Sequence, residues 1–182
     1  RKYCKDKRIL NLFSYNCSFG INAAISGAIS TTNVDISKNA LLLGKKSYLL
    51  NNVSVENTYF INDDCSDFIN NIISNEEKYD VIILDPPSYI KNQQSKNNGL
   101  KGYTSINSRV MKCLNKNGIL MTCSCSSFLK YDEFINIIQF AALESNCQFN
   151  ILETHLHGID HPINIYFPES NYLKCIILQK IN

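Results

Sequence analysis

No charge of either sign dominates this 182-residue sequence: 18 Lys and Arg stand against 16 Asp and Glu, a formal net charge of +2. No strong basic field therefore announces a nucleic-acid partner, although a local basic face is compatible with that balance. No apolar run is long enough to cross a bilayer, so no membrane role is expected, and none has the form of a leader's hydrophobic region. The eight cysteines, Cys4, Cys17, Cys65, Cys113, Cys123, Cys125, Cys147 and Cys175, lie singly in apolar context without the Cys-x-x-Cys pair of a structural zinc site. That pattern favours a reducing compartment, cytoplasmic or organellar, over a disulfide framework. An internal repeat, an interior linker and the Gly-x-Gly-x-x-Gly turn of a nicotinamide dehydrogenase are also missing. The chain starts at Arg1 without a methionine and reaches a strand-like run within ten residues, which reads as a domain excised from a longer protein.

What is present is an alternation of short apolar runs with segments of helical spacing. Strands are expected at Arg8 to Ser14, Ser30 to Asp35, Thr58 to Asn62, Tyr79 to Asp85, Ile119 to Ser124, Phe149 to Leu156 and Tyr172 to Lys180. Helices are expected over Ile21 to Ala28, Lys38 to Asn51 with Ser37 as N-cap, Asp64 to Ile73, about Tyr103 to Leu114, and Tyr131 to Ser145. Ser88 to Lys101 reads as a polar loop, and Asn117-Gly118 as the turn into the fifth strand. The class is α/β: a mostly parallel sheet with helices on both faces. The last two strands lack a helix between them, so one of them is expected to run antiparallel on the edge side. Ligands of such sheets sit outside the carboxyl ends of the strands.

Each strand end therefore has a functional address. The first opens into Phe13 to Gly20, where free backbone N–H groups could meet a nucleotide-like ligand, although one glycine makes a plain tight turn equally compatible. The second ends at Asp35, the position of an acid that binds ribose hydroxyls, or simply the residue ahead of an N-cap. The third ends at Asn62-Asp63-Asp64, whose acids also complement the dipole of the next helix. The fourth delivers Asp85 and then Pro86-Pro87-Ser88-Tyr89, a rigid rim whose carboxylate suits a planar base carrying an amino group. The fifth ends at Thr122-Cys-Ser-Cys-Ser-Ser127, with Cys123 in the strand and Cys125 beyond it. His155, His157 and His161 lack an evident fourth ligand, and no metal site is expected.

The stretches Leu10-Asn-Leu-Phe-Ser-Tyr15, Phe19-Gly20, Val34-Asp-Ile-Ser37, Phe60-Ile-Asn-Asp-Asp64, Tyr79 to Pro87, Gly102-Tyr103, Ser124-Cys-Ser126, His161-Pro162, Pro168-Glu169 and Tyr172-Leu-Lys174 occur in one order. Together they resemble the S-adenosylmethionine-dependent cytosine-5 methyltransferases of large-subunit ribosomal RNA. The resemblance implies one catalytic domain over residues 1–182, with a Rossmann-like class I methyltransferase fold built on a seven-stranded sheet. It implies that Phe13, Ser14, Tyr15, Asn16, Cys17, Gly20, Asp35, Ile36, Asp63, Asp64, Asp85 and Pro86 bind S-adenosylmethionine, which leaves as S-adenosylhomocysteine. Pro87, Ser88, Tyr89 and Ser124 would meet the substrate, with Cys125 as nucleophile and Asp85 holding the target base. The expected partner is RNA, with a homodimer as one option for assembly. The family's Thr-Gly-Gly after Phe-Ser-Tyr is replaced here by Asn16-Cys17-Ser18, its Pro-Glu-Gly by Pro168-Glu169-Ser170, and its upstream RNA-binding domain has no counterpart in these residues. Two alternatives stand beside this reading: an amino-group RNA methyltransferase that uses Asp85-Pro86-Pro87 without a nucleophile, and a cofactor-binding module that has lost catalysis.

Overall fold

The computed structural model describes residues 1–182, the side chain of residue 168 excepted. Its strands are β1 (Arg8–Leu12), β2 (Ser30–Asp35), β3 (Thr58–Asn62), β4 (Tyr79–Leu84), β5 (Leu114–Ser124), β6 (Phe149–His155) and β7 (Lys174–Lys180). The helices are α1 (Ser18–Ile25), α2 (Lys38–Leu50), α3 (Cys65–Ser74), α4 (Lys96–Lys112) and α5 (Tyr131–Glu144). One seven-stranded sheet runs in the order β3-β2-β1-β4-β5-β7-β6. The first five strands are parallel, and β7 is antiparallel to both its neighbours. The expected antiparallel strand is thus β7, inserted one place in from the edge, while β6 forms the edge itself. Among the described residues no helix is long and apolar enough to cross a membrane.

The central place of β1 and β4 agrees with their sequence. Ile9, Leu10, Leu12, Ile82 and Leu84 are wholly buried, as expected of strands covered on both faces, and Asn11 is the one polar residue inside β1. β3, at the edge, is only partly buried. One face carries α3, α4 and α5 over a core of Leu10, Leu12, Ile82, Leu84, Leu120, Tyr103 and Phe134. The other carries α1 and α2, with Ile9, Ala23, Val81 and Ile83 in one cluster and Cys17, Ile21, Leu41 and Tyr48 in another.

α1 lies about three residues earlier than expected, at Ser18–Ile25 rather than Ile21 to Ala28, and two boundaries differ by more. α4 begins at Lys96, inside the stretch expected to be a loop. Ser95 closes a turn with Asn92 through N–H to Oδ1 at 2.9 Å, and Lys96 pairs with Glu133 of α5 at 2.7 Å. Tertiary packing overrides the poor helix propensity of Asn97-Asn98-Gly99: a Cβ on Gly99 would lie 2.3 Å from Ile90 Cγ1 and 2.7 Å from the Tyr89 carbonyl oxygen. β5 begins at Leu114 rather than Ile119, because its pairing with β4 passes over Asn117-Gly118 by a shift of register between Tyr79 and Val81.

α1 and α2 approach β2 and each other through glycines. A Cβ on Gly20 would fall 2.2 Å from Asn33 Oδ1 and 2.5 Å from the Tyr48 hydroxyl. Those groups belong to a buried network in which Asn11 Nδ2 donates to Asn33 Oδ1 at 2.9 Å and Asn33 Nδ2 donates to Tyr48 OH at 3.2 Å. On α2, Gly44 leaves the space that the Cys17 side chain fills, since a Cβ there would lie 2.5 Å from Cys17 Sγ. The Cys17 thiol is thus housed by a glycine on the facing helix.

This complementarity predicts a strong coupling. Gly44→Ala is expected to destabilise the chain by about 1–3 kcal/mol through overpacking, read from the midpoint of urea unfolding. The same change made on Cys17→Gly should cost less by about 1 kcal/mol or more. Equal costs in the two backgrounds would show that the pair does not interact.

Candidate active site

Between Leu12 and Ser18 the backbone enters the left-handed region three times, at Phe13 (φ 56°), Tyr15 (φ 46°) and Cys17 (φ 63°). None of the three is glycine, and each carries a steric cost of about 1–2 kcal/mol. Neighbouring strand ends hold them there. The Phe13 N–H donates to Cys65 Sγ at 3.2 Å, Ser14 N–H to the Val34 carbonyl at 3.0 Å, and Tyr15 N–H to Asp35 Oδ2 at 2.8 Å. The loop then feeds α1, whose first turn has no side-chain cap. Its leading N–H groups are therefore left for an anionic group of a ligand.

Asp35 stands at the centre of this arrangement. Its Oδ1 accepts the Ser37 N–H at 2.8 Å while Oδ2 accepts that of Tyr15. A carboxylate offers about four lone-pair sites, so two remain for ribose hydroxyls. Beside it Ile36 is 74% exposed, an apolar flank at the strand end. Asp63 is half-buried and takes the Asp64 N–H on Oδ1 at 2.9 Å. Asp64 caps α3, with Oδ1 accepting from Ser66 N–H at 2.7 Å and Asp67 N–H at 3.3 Å. Each of the two acids thus has one oxygen engaged by backbone N–H groups and the other left over.

Asp85 follows β4, half-buried, with its carboxyl pushed above the ordinary carboxylate range by burial alone. Among the described residues no protein donor offsets that burial, so the group is an acceptor open to a partner. A cavity of about 570 Å³ opens beside it, between Phe19, Cys123, His155 and Cys175. Pro86 is buried and Pro87 exposed, which fixes the rim. Tyr89 packs on Tyr103 with ring centroids 4.8 Å apart, and against Gly102 of α4, where a Cβ would lie 3.3 Å from the Tyr89 ring.

The parallel register of β4 and β5 sets Leu84 beside Thr122, and β5 ends at Ser124. Cys123 is buried, facing Cys175 across β5 and β7. Cys125 lies beyond the strand, half-exposed. Its thiol is held above the usual range by burial first and then by the Asp85 carboxylate, against which its own amide, that of Ser88 and the charge of Lys174 act in the opposite sense. The two cysteines therefore differ in exposure, Cys123 buried and Cys125 half-exposed, while the Asp85 carboxylate acts on both.

One expected substrate contact is corrected. Ser124 is fully buried and its hydroxyl donates to Tyr103 OH at 3.0 Å; it supports the loop from beneath and does not meet a substrate. Cys17 is also wholly buried, so only its backbone can face a cofactor. Ser88 donates its hydroxyl to the Ile90 carbonyl at 2.9 Å, and Ser126, unremarked in sequence beyond its motif, donates to the same oxygen at 2.9 Å. Sequence reading quoted Tyr103 and Lys174 within its motifs but assigned no role to the hydroxyl of the one or the ammonium of the other. The signal for Lys174 was a lysine directly ahead of the apolar run Cys175-Ile-Ile-Leu178. The three histidines do not converge: His155 Nε2 meets Glu153 at 2.9 Å, and His157 Nε2 accepts the N–H groups of Tyr172 and Leu173 at 3.0 Å each.

A model of the family described as S-adenosylmethionine-dependent methyltransferase matches residues 1–146. Among curated proteins, the ribosomal RNA large subunit methyltransferase I of Tolumonas auensis is 36% identical over 180 residues, 99% of this chain and 45% of that protein. The protein of the same name from Enterobacter sp. strain 638 is 34% identical over 174 residues, 96% of this chain and 44% of its own. The chain thus spans less than half the length of these relatives. Among solved structures, SMU.776, a candidate methyltransferase complexed with S-adenosylhomocysteine, matches with a TM-score of 0.85 at 26% identity, covering 97% of this chain and 46% of that one. Trm5b from Pyrococcus abyssi shares the fold, with a TM-score of 0.70 at 17% identity over 98% of this chain and 45% of its own. The uncapped start of α1, the two remaining acceptor sites of Asp35 and the unpartnered carboxylate of Asp85 suit a zwitterionic nucleoside of that kind. On its sequence match and its architecture alike, the chain belongs to the S-adenosylmethionine-dependent methyltransferases.

Proposed function

We propose that residues 1–182 are the catalytic domain of a large-subunit rRNA methyltransferase that methylates C5 of a cytosine through a covalent adduct with Cys125. The observation that carries this reading is the half-exposed Cys125 thiol at the end of β5, beside the unpaired carboxylate of Asp85 at the end of β4. The names of the two curated relatives support the RNA class.

In this reading the start of α1, Asp35, Ile36 and Asp63 hold the cofactor, which supplies a methyl group on a cationic sulfur. Cytosine C5 is a weak nucleophile, so the Cys125 thiolate first adds to C6, forming an S–C bond and placing electron density on C5. Asp85 accepts the exocyclic amine and favours protonation of N3, stabilising the charge that develops on the ring during attack. Once C5 carries its methyl, loss of the C5 proton to a base expels the Cys125 thiolate and restores the ring. The rim of Pro87, Ser88 and Tyr89 flanks a target base that is unstacked or single-stranded.

Two measurements test the reading. Cys125→Ala in the full-length protein is expected to lose methyl transfer by roughly three orders of magnitude while binding S-adenosylmethionine within about twofold of the wild type. Substantial transfer by that variant would overturn the covalent route and leave the amino-group reaction in its place. The pH profile follows from the raised thiol: thiolate is lost as pH falls, so the rate at subsaturating RNA should climb through neutrality into the alkaline range. A rate that falls over that range would be incompatible with a Cys125 thiolate nucleophile.

A further inference from the structure

Lys174 opens β7 opposite Ser124 and is only 4% exposed. Among the described residues no carboxylate pairs with it. Its Nζ instead donates to the carbonyl oxygens of Ser126 and Leu129, both in the loop that follows Cys125. Burying an ammonium without an acid costs several kcal/mol, by order of magnitude, and a neutral donor could tie the same loop more cheaply. The charge itself therefore calls for a role.

We propose that Lys174 is the positioning residue of the Cys125 thiol, fixing the loop behind it and supplying the positive charge toward which the thiolate forms. The inference rests on Cys125 being the nucleophile. The geometry is the anchoring of the Ser126 and Leu129 carbonyls by Nζ directly after Cys125; in charge, Asp85 at the end of β4 opposes ionisation of the thiol and Lys174 on β7 favours it, more weakly. Influence runs both ways, since ionised Cys125 in turn supports the charge on Lys174. Burial lowers the Lys174 ammonium to about 8, which leaves it cationic at neutral pH. The other titratable groups acting on the pair are Tyr103 of α4, Cys123 of β5 and Glu133 of α5. Glu133 is already engaged by Lys96 at 2.7 Å and by the Lys130 N–H at 2.8 Å. Lys174 thus readies the thiol before any cationic cofactor arrives.

The test is the pH dependence of Cys125 alkylation by iodoacetamide in the full-length protein, followed by peptide mass mapping in wild type, Lys174→Gln and Lys174→Arg. Gln keeps donors for the two carbonyls and removes the charge; Arg keeps the charge. At pH 7, where Lys174 is still cationic, alkylation of Cys125 should slow by roughly tenfold in Lys174→Gln, the equivalent of about one unit in the ionisation of the thiol. In Lys174→Arg the rate should stay within about twofold, and half-exposed Cys147 should alkylate alike in all three. A folded Lys174→Gln with the wild-type Cys125 rate at pH 7 would overturn the proposal. Should that variant not fold, the wild-type profile decides: the logarithm of the Cys125 rate should bend above about pH 8 as Lys174 loses its proton, and an unbroken rise would overturn the coupling. Methyl transfer by Cys125→Ala reports separately on the nucleophile, because alkylation needs neither RNA nor turnover.

Discussion

The carboxylate of Asp35 accepts two backbone N–H groups, one from the loop after β1 and one from the start of α2. Without it the left-handed sequence Phe13, Tyr15, Cys17 would lose its central restraint. That loop sets where α1 begins, and α1 in turn closes by way of Gly20 over the Asn11–Asn33–Tyr48 network. A single acid at a strand end therefore joins three elements of the sheet's first half and presents its spare lone pairs to the ligand side.

Much of this was legible in the sequence because the chemistry sits at strand ends, and strand ends are marked by abrupt changes of residue type. The run Tyr79 to Leu84 followed by Asp85-Pro86-Pro87 could be placed from its apolar character and its two prolines. Ser37 was identified as an N-cap, and its hydroxyl accepts the Ala40 N–H at 3.3 Å. The placing of Cys123 inside the strand and Cys125 beyond it followed from the end of β5 at Ser124, since alternation alone would put both on one face. What sequence could not supply was long-range packing. The start of α4 depends on Gly99 meeting Tyr89 and Ile90, and the fate of Ser124 depends on Tyr103, twenty-one residues away. The accommodation of Cys17 by Gly44 was likewise invisible, since no local pattern ties residue 17 to residue 44.

The second half of the site is governed by charge in a confined space. Asp85 and Lys174 act on Cys125 with opposite sign, and each carries its charge in surroundings that disfavour it. Their effects on the thiol do not reinforce one another. Burial and Asp85 outweigh Lys174 and hold the thiol above its ordinary range, so a further positive charge brought into the site would favour its ionisation.

The place of β7 has a consequence for how the molecule is made. β6 precedes β7 in the chain, yet its sole neighbour in the sheet is β7, and the far edge of β5 also pairs only with β7. During synthesis from the amino end, β1 to β5 can assemble with their helices while β6 emerges with nothing to pair with. The arrival of β7 then joins β5 to β6 in one step and brings Lys174 beneath Cys125. A ribosome-bound chain halted before that strand would hold the ligand-facing loops of the first half and an unfinished thiol loop.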